Sequence, residues 1–135
     1  MIEGKKYIEI VKQFYSFLET EFSFKKVNEA INGNVFYDVE YKNRERIVSI
    51  SYENIEGHLE IVVFILQNGK LPDYDDKTKT LHLSQLKAQV LSMVDKSEIS
   101  LNNEYFIMFS ANNELERKLL KGAKELRLCL KHIPV

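Results

Sequence analysis

A chain of 135 residues, 44% hydrophobic and 29% charged, has the profile of one compact folded domain, able to bury about two-thirds of its unfolded surface without disulfides or a structural metal. Nineteen basic against twenty acidic residues leave a formal net charge of −1, which removes the electrostatic case for a dedicated nucleic-acid-binding or membrane-surface domain. The longest apolar run, Ile61 to Leu66, is far short of the ~20 residues that span a bilayer, and the N-terminus carries no apolar signal core. A single cysteine, Cys129, excludes an internal disulfide and fits a reducing compartment, so the cytoplasm is the expected location.

From Lys5 to about Thr20 polar residues recur every three or four positions and leave Tyr7, Ile8, Ile10, Val11, Phe14, Tyr15, Phe17 and Leu18 on a broad apolar face, the spacing of a helix buried over more than half its circumference. Phe22-Ser23-Phe24 is read as the start of a short strand, and Asn32-Gly33-Asn34 as a turn. The period then changes. Val35, Tyr37, Val39 and Tyr41 alternate with Phe36, Asp38, Glu40 and Lys42, and Val48, Ile50 and Tyr52 alternate with Ile47, Ser49, Ser51 and Glu53. After the turn at Asn54 to Gly57, Leu59 to Gln67 forms a third strand, apolar on both sides along Ile61 to Leu66, and the tight connections predict an antiparallel meander.

Beyond the loop around Pro72 the chain turns helical, with Ser84 as the expected N-cap and Leu86, Val90, Met93 and Val94 on one stripe. Asp95 to Asn103 reads as a polar connection, and periodicity leaves Tyr105 to Phe109 open between strand and helix. Asn113 to His132 is a final helix with a seam of Leu115, Leu119, Ala123, Leu126, Leu130 and Ile133, stopped by Pro134. The expected fold is a two-layer α+β domain spanning residues 1–135: an N-terminal helix, an antiparallel meander of three to five strands, and C-terminal helices packed on one sheet face.

No motif here specifies a reaction. His58 lies between Glu56 and Glu60 at a turn, and His82 precedes a helix with no partner nearby in sequence; a pocket near either would make an acid–base or ligand site, and without one both are structural. Cys129 and His132 stand one helical turn apart, but two ligands do not make a zinc site, and no second cysteine exists. Ser84-Gln85-Leu86-Lys87 has the S-x-x-K spacing of a serine–lysine pair without the accompanying motifs, and helix capping explains the serine. The five glycines form no phosphate loop. No metal, cofactor or catalytic residue is therefore assigned.

Regional charge carries more. From Phe36 to Asp76, nine acidic residues face four basic ones, whereas Asn112 to Val135 holds six basic against three acidic. If helices cover the face of Val35, Tyr37, Val39, Tyr41, Val48, Ile50, Tyr52, Ile61, Val63 and Ile65, the other face presents Phe36, Ile47, Val62, Phe64 and Leu66 among Asp38, Glu40, Ser49, Ser51, Glu53 and Glu60. An apolar patch with a charged rim marks a protein interface, with a second copy of the chain or with another protein, unless a loop folds over it. The loop Asp73-Tyr74-Asp75-Asp76 sets an aromatic among carboxylates, lacks the offsets of a calcium loop, and fits an anchor for a basic partner. The expected protein-binding residues are Asp38, Glu40, Phe64, Asp73, Tyr74, Asp75 and Asp76.

The order of helix, acidic meander with Val39-x-Tyr41 and Ile50-x-Tyr52 strands, and a C-terminal helix reading from Glu116 to Arg127 resembles small bacterial α+β proteins of unknown function, some of them immunity proteins of polymorphic toxin systems. Such proteins have no catalytic residues to carry over. The resemblance implies a protein that binds and blocks a cognate toxin.

Overall fold

The computed structural model describes residues 2–133. Its N-terminal apolar segment folds into two helices rather than one: α1 (Gly4–Phe14) and α2 (Phe17–Phe22) flank a turn at Tyr15 and Ser16. The apolar band is too wide for one straight stripe. Breaking the helix lets Tyr7, Val11, Phe14, Tyr15, Phe17 and Leu18 all reach the core. Ser23 then adopts a left-handed φ of 60° as the C-cap of α2, so Phe22 closes a helix where the sequence suggested a strand.

Five antiparallel strands follow, paired in sequence order: β1 (Lys25–Asn32), β2 (Phe36–Lys42), β3 (Arg46–Glu53), β4 (His58–Ile65) and β5 (Thr80–His82). β1 was not legible because it is a solvent-facing edge with little apolar alternation, and it carries a bulge between Lys26 and Asn28. The inner face is as expected except at its two ends, Val35 and the half-buried Ile65. Tyr37, Val39, Tyr41, Val48, Ile50, Ile61 and Val63 are buried, whereas Val35 falls in the preceding turn and is exposed.

Of the remaining helices, α3 (Leu83–Val90) and α5 (Glu114–His132) pack on that same face, and α4 (Lys96–Tyr105) packs on α5. His82, not Ser84, is the N-cap residue of α3, and Ser84 sits exposed in its first turn. The stripe expected along this helix ends early, since Met93 lies beyond it and is exposed. The polar stretch after Asp95 is helix α4, not a connection; Asp95 accepts a hydrogen bond from the Glu98 N–H at 2.9 Å. Tyr105 closes α4, Phe106 is buried, and Ile107 and Met108 turn out to solvent. In α5 the seam is buried along Leu119, Ala123, Leu126 and Leu130, with Asn113 as its capping residue. Pro134 lies outside the described residues.

Polar ties join α1 to the sheet and the helical segments to one another. Tyr7 Oη donates to Ile50 O and Tyr15 Oη to Leu119 O, both at 2.8 Å. On the far side of α5, Arg127 forks onto Glu21 of α2 at 2.6 and 2.8 Å, donates to Asn102 of α4 at 2.7 Å and lies over the Tyr105 ring. Those bonds hold the Glu21 carboxyl below its usual range. Gly122 is the point of closest approach: a Cβ there would stand 2.7 Å from Ile61 Cδ1 and 2.8 Å from Tyr15 Oη. Glycine costs a helix interior about 1 kcal/mol, and contact between α5 and the sheet is what it permits here.

Tyr41 is also fully buried, but its hydroxyl has no hydrogen-bond partner. The two tyrosines should therefore respond oppositely to loss of oxygen. Tyr15→Phe is expected to lower unfolding free energy by about 1 kcal/mol, and Tyr41→Phe to leave it unchanged or raise it, as read from urea denaturation.

Candidate functional site: the uncovered sheet face

With every described helix on the inner side, the outer face of the sheet faces solvent except at one corner. The cross-strand register arranges its side chains in rows. Ala30, Asp38, Ser51 and Glu60 form one; Asn28, Glu40, Ser49, Val62 and His82 form the next; Phe36, Glu53 and His58 lie to one side, and Lys42, Ile47, Phe64 and Thr80 to the other. Carboxylates from three strands thus share one surface.

Asp38 and Glu40 are neighbours on it, half-buried as expected of groups in the middle of a sheet. Ser49 Oγ donates to Asp38 Oδ1 at 2.7 Å and Asn28 Nδ2 donates to Glu40 Oε1 at 2.9 Å. Burial pushes the Asp38 carboxyl above the usual carboxylate range, the Ser49 hydrogen bond works against that shift, and the Glu40 charge adds to it. Glu53 is committed locally, accepting from the Ile55 and Glu56 N–H groups at 2.7 and 3.0 Å.

Glu60 gathers both histidines of the sheet. His82 Nδ1 lies 2.6 Å from Glu60 Oε1 and His58 Nε2 lies 3.5 Å from Glu60 Oε2. The His58–Glu60 spacing was visible in sequence, but the arrival of His82 depends on β5 pairing with β4. These three side chains line the mouth of a cleft of about 240 Å³ between the β4 edge and helices α3 and α5. The His58 side chain is 67% exposed, so the cleft does not enclose it. No group of three His, Cys, Asp or Glu side chains among the described residues is arranged to hold a metal ion. Cys129 is buried, its thiol pushed up to about 11 by burial and then by Glu125, while His132 turns to Glu98 at 2.8 Å.

The covered corner lies at the other end of the face. Ile47, paired across the strands with Phe64, and Val62 are buried; the Phe64 ring is 6.4 Å from that of Tyr74, and Tyr74 in turn stands edge-on to His82 at 6.0 Å. The loop between β4 and β5 therefore folds over the apolar patch while Tyr74 stays 62% exposed. Its frame is local: Thr80 Oγ1 donates to Asp73 O at 3.2 Å, and Thr78 donates through N and Oγ1 to Asp76 Oδ1 at 3.0 and 2.6 Å. Those bonds hold the Asp76 carboxyl below its usual range, which gives Asp76 a structural task. Asp73 and Asp75 are exposed. Lys77 and Lys79 lie just beyond Asp76 and, with Lys70, balance the three carboxylates of the loop, so the negative surface is the sheet rather than the loop.

The structure thus joins Phe64 to Tyr74 and Asp38 to Glu40, and separates the two pairs by β3. Ser49 and Glu60 belong with Asp38 on the same face, a grouping that strand parity alone foretells. No described helix is long and apolar enough to cross a membrane. Neither a family model, nor a curated protein, nor a solved structure matches the chain.

An aspartate whose carboxyl titrates higher in the fold than its unfolded value of about 3.9 weakens the fold once ionised. Stability from this group is full below the unfolded value and falls as pH rises through the folded one. Asp38→Asn keeps an acceptor for Ser49 and removes the charge, so it should raise stability at neutral pH by up to about 1 kcal/mol and flatten the fall between acid and neutral pH. Urea titrations across that range check it; a destabilised variant would be the contrary result.

Proposed function

We propose that this domain is a non-catalytic protein-binding module that docks a basic protein surface on its uncovered sheet face, in the manner of an inhibitor or immunity protein. The observation that carries the reading is the half-buried pair Asp38 and Glu40 at the centre of that face, in rows that also bring in Glu60 and no opposing lysine or arginine until Lys42 at the margin. A central carboxylate kept at a cost in stability fits a binding group better than a structural one. Tyr74, resting on Phe64 with most of its ring exposed, supplies an aromatic anchor at the border of the acidic area.

Charge also chooses between partners. A second copy docked face to face would set Asp38, Glu40 and Glu60 against their own kind, so a basic surface on a different protein is favoured over a homodimer through this face. Under the immunity reading that surface belongs to a toxin, and covering it blocks the toxin's access to its substrate. A ligand pocket or enzyme at His58 and His82 has the cleft in its favour, but His58 is largely exposed and both histidines turn to Glu60 rather than to Ser84 in the cleft wall.

The test is kinetic. With a partner captured from host extract and then purified, association should slow as salt rises. Asp38→Asn with Glu40→Gln should reduce the association rate several-fold at low salt, and Tyr74→Ala should cost about 2 kcal/mol of affinity, mostly in dissociation. Rates unchanged in all variants would remove the face and its anchor as the site.

A further inference from the structure

β4 is eight residues long, and β5 pairs with only three of them. The pairing runs from Phe64 to Val62 and stops because the chain turns into α3 at Leu83. Ile65 donates its N–H to Lys79 O on the β5 side at 2.8 Å, and Leu66 donates to Glu45 O on the β3 side at 2.8 Å. By the alternation of an antiparallel ladder, the N–H and C=O of Leu59 point to the β5 side as well, where β5 no longer runs. What lies there is the cleft of about 240 Å³, walled by Ser84 and Lys87 of α3 and by Lys118 and Gly122 of α5.

The two margins of the sheet differ. β1 presents a bulge and the lysines Lys25 and Lys26, devices that discourage a further strand. The β4 margin pairs with β3 without irregularity, and the lysines beside it are engaged: Lys87 with Glu125 at 3.0 Å, and Lys118 with Glu114 at 3.7 Å and the Gly57 carbonyl at 3.4 Å. The Leu59 N–H and C=O, a donor and an acceptor on one residue with the next edge carbonyl, Gly57 O, already held by Lys118, match one residue of an extended chain, which returns both hydrogen bonds at strand spacing. Side-chain pairing sets its sequence. A residue opposite Leu59 shares the inner side with Leu59 and Ile61 and should be apolar, whereas its neighbours lie on the outer side beside Glu60 and should be basic.

We propose that the open half of the β4 edge, at Leu59, takes an extended segment of the partner protein as an added strand, an apolar residue opposite Leu59 and a basic residue on each side of it. The proposal deepens the reading above and rests on it for the partner's class, while the edge itself is a separate set of contacts.

The test uses the full chain, isotope-labelled for amide NMR, titrated with a capped pentapeptide of alternating lysine and valine, acetyl-Lys-Val-Lys-Val-Lys-amide. Saturable shifts should appear at Leu59, Ile61 and Ser84. N-methylation of both valines removes the amide that would face Leu59 whichever valine stands opposite it and should weaken binding at least about tenfold, while N-methylation of the central lysine, whose amide faces away, should change it less than about twofold. Replacing the lysines by glutamates should weaken binding several-fold. Leu59→Pro deletes the edge donor without touching the β3 ladder and should abolish binding; if that variant does not fold, the two methylated peptides carry the same test. The peptide should bind the Asp38→Asn, Glu40→Gln variant as it binds wild type, so failure of the face and failure of the edge are read apart. No saturable shift at millimolar peptide, shifts away from Leu59, or equal binding of the valine-methylated peptide would each overturn the proposal.

Discussion

The close approach of α5 to the sheet at Gly122, with the Tyr15 hydroxyl bonded to Leu119 O beside it, organises the rest of the molecule. A buried hydroxyl needs an acceptor, and this one finds it in the backbone of the helix it packs against. The tie sets where α5 lies against the turn between α1 and α2, and Gly122 sets how near the helix comes to Ile61 of β4. Once α5 is there, Arg127 on its other side is placed to clasp α2 and α4. Lys118 and Glu125, projecting from the same helix, become the far wall of the cleft along β4. Core packing and the shape of the candidate edge site thus share one cause.

Concentrating all the helices on one side leaves the outer face to manage by composition alone. It does so with short hydroxyls between carboxylates and with a loop laid over the single greasy corner. Serine at 49 and 51 keeps the centre low and polar, so Asp38 is crowded without being sealed. A face meant only to be wet would space its acids apart or alternate them with lysines. Here the cations stand at the margin.

The meander was legible because strands with one buried face advertise it: Tyr37, Val39 and Tyr41, then Val48, Ile50 and Tyr52, alternate without error. α5 was legible for the same reason at helical spacing. What failed to show were elements held by tertiary contacts. β1 is mostly exposed and has little pattern to display; α4 buries Asn102 rather than an apolar stripe, tied by Arg127 from a distant part of the chain. Of the site, strand parity put Asp38, Glu40 and Phe64 on the outer face. The meeting of His82 with Glu60 and of Tyr74 with Phe64 depends on the path of a loop, which no local period encodes. The acidic run Asp73 to Asp76 is followed at once by Lys77 and Lys79, so the net charge of that loop depends on where its bounds are drawn.

The bulge and lysines on β1 have a consequence for assembly. Growth of a sheet through many molecules needs two adhesive margins on each, one to receive and one to give. This sheet has one margin blunted by the bulge after Lys26 and by Lys25 and Lys26, and the other closed by β5 along part of its length. Margins so unlike disfavour growth from molecule to molecule through backbone pairing, since a copy offering its β1 edge would present the bulge and the lysines.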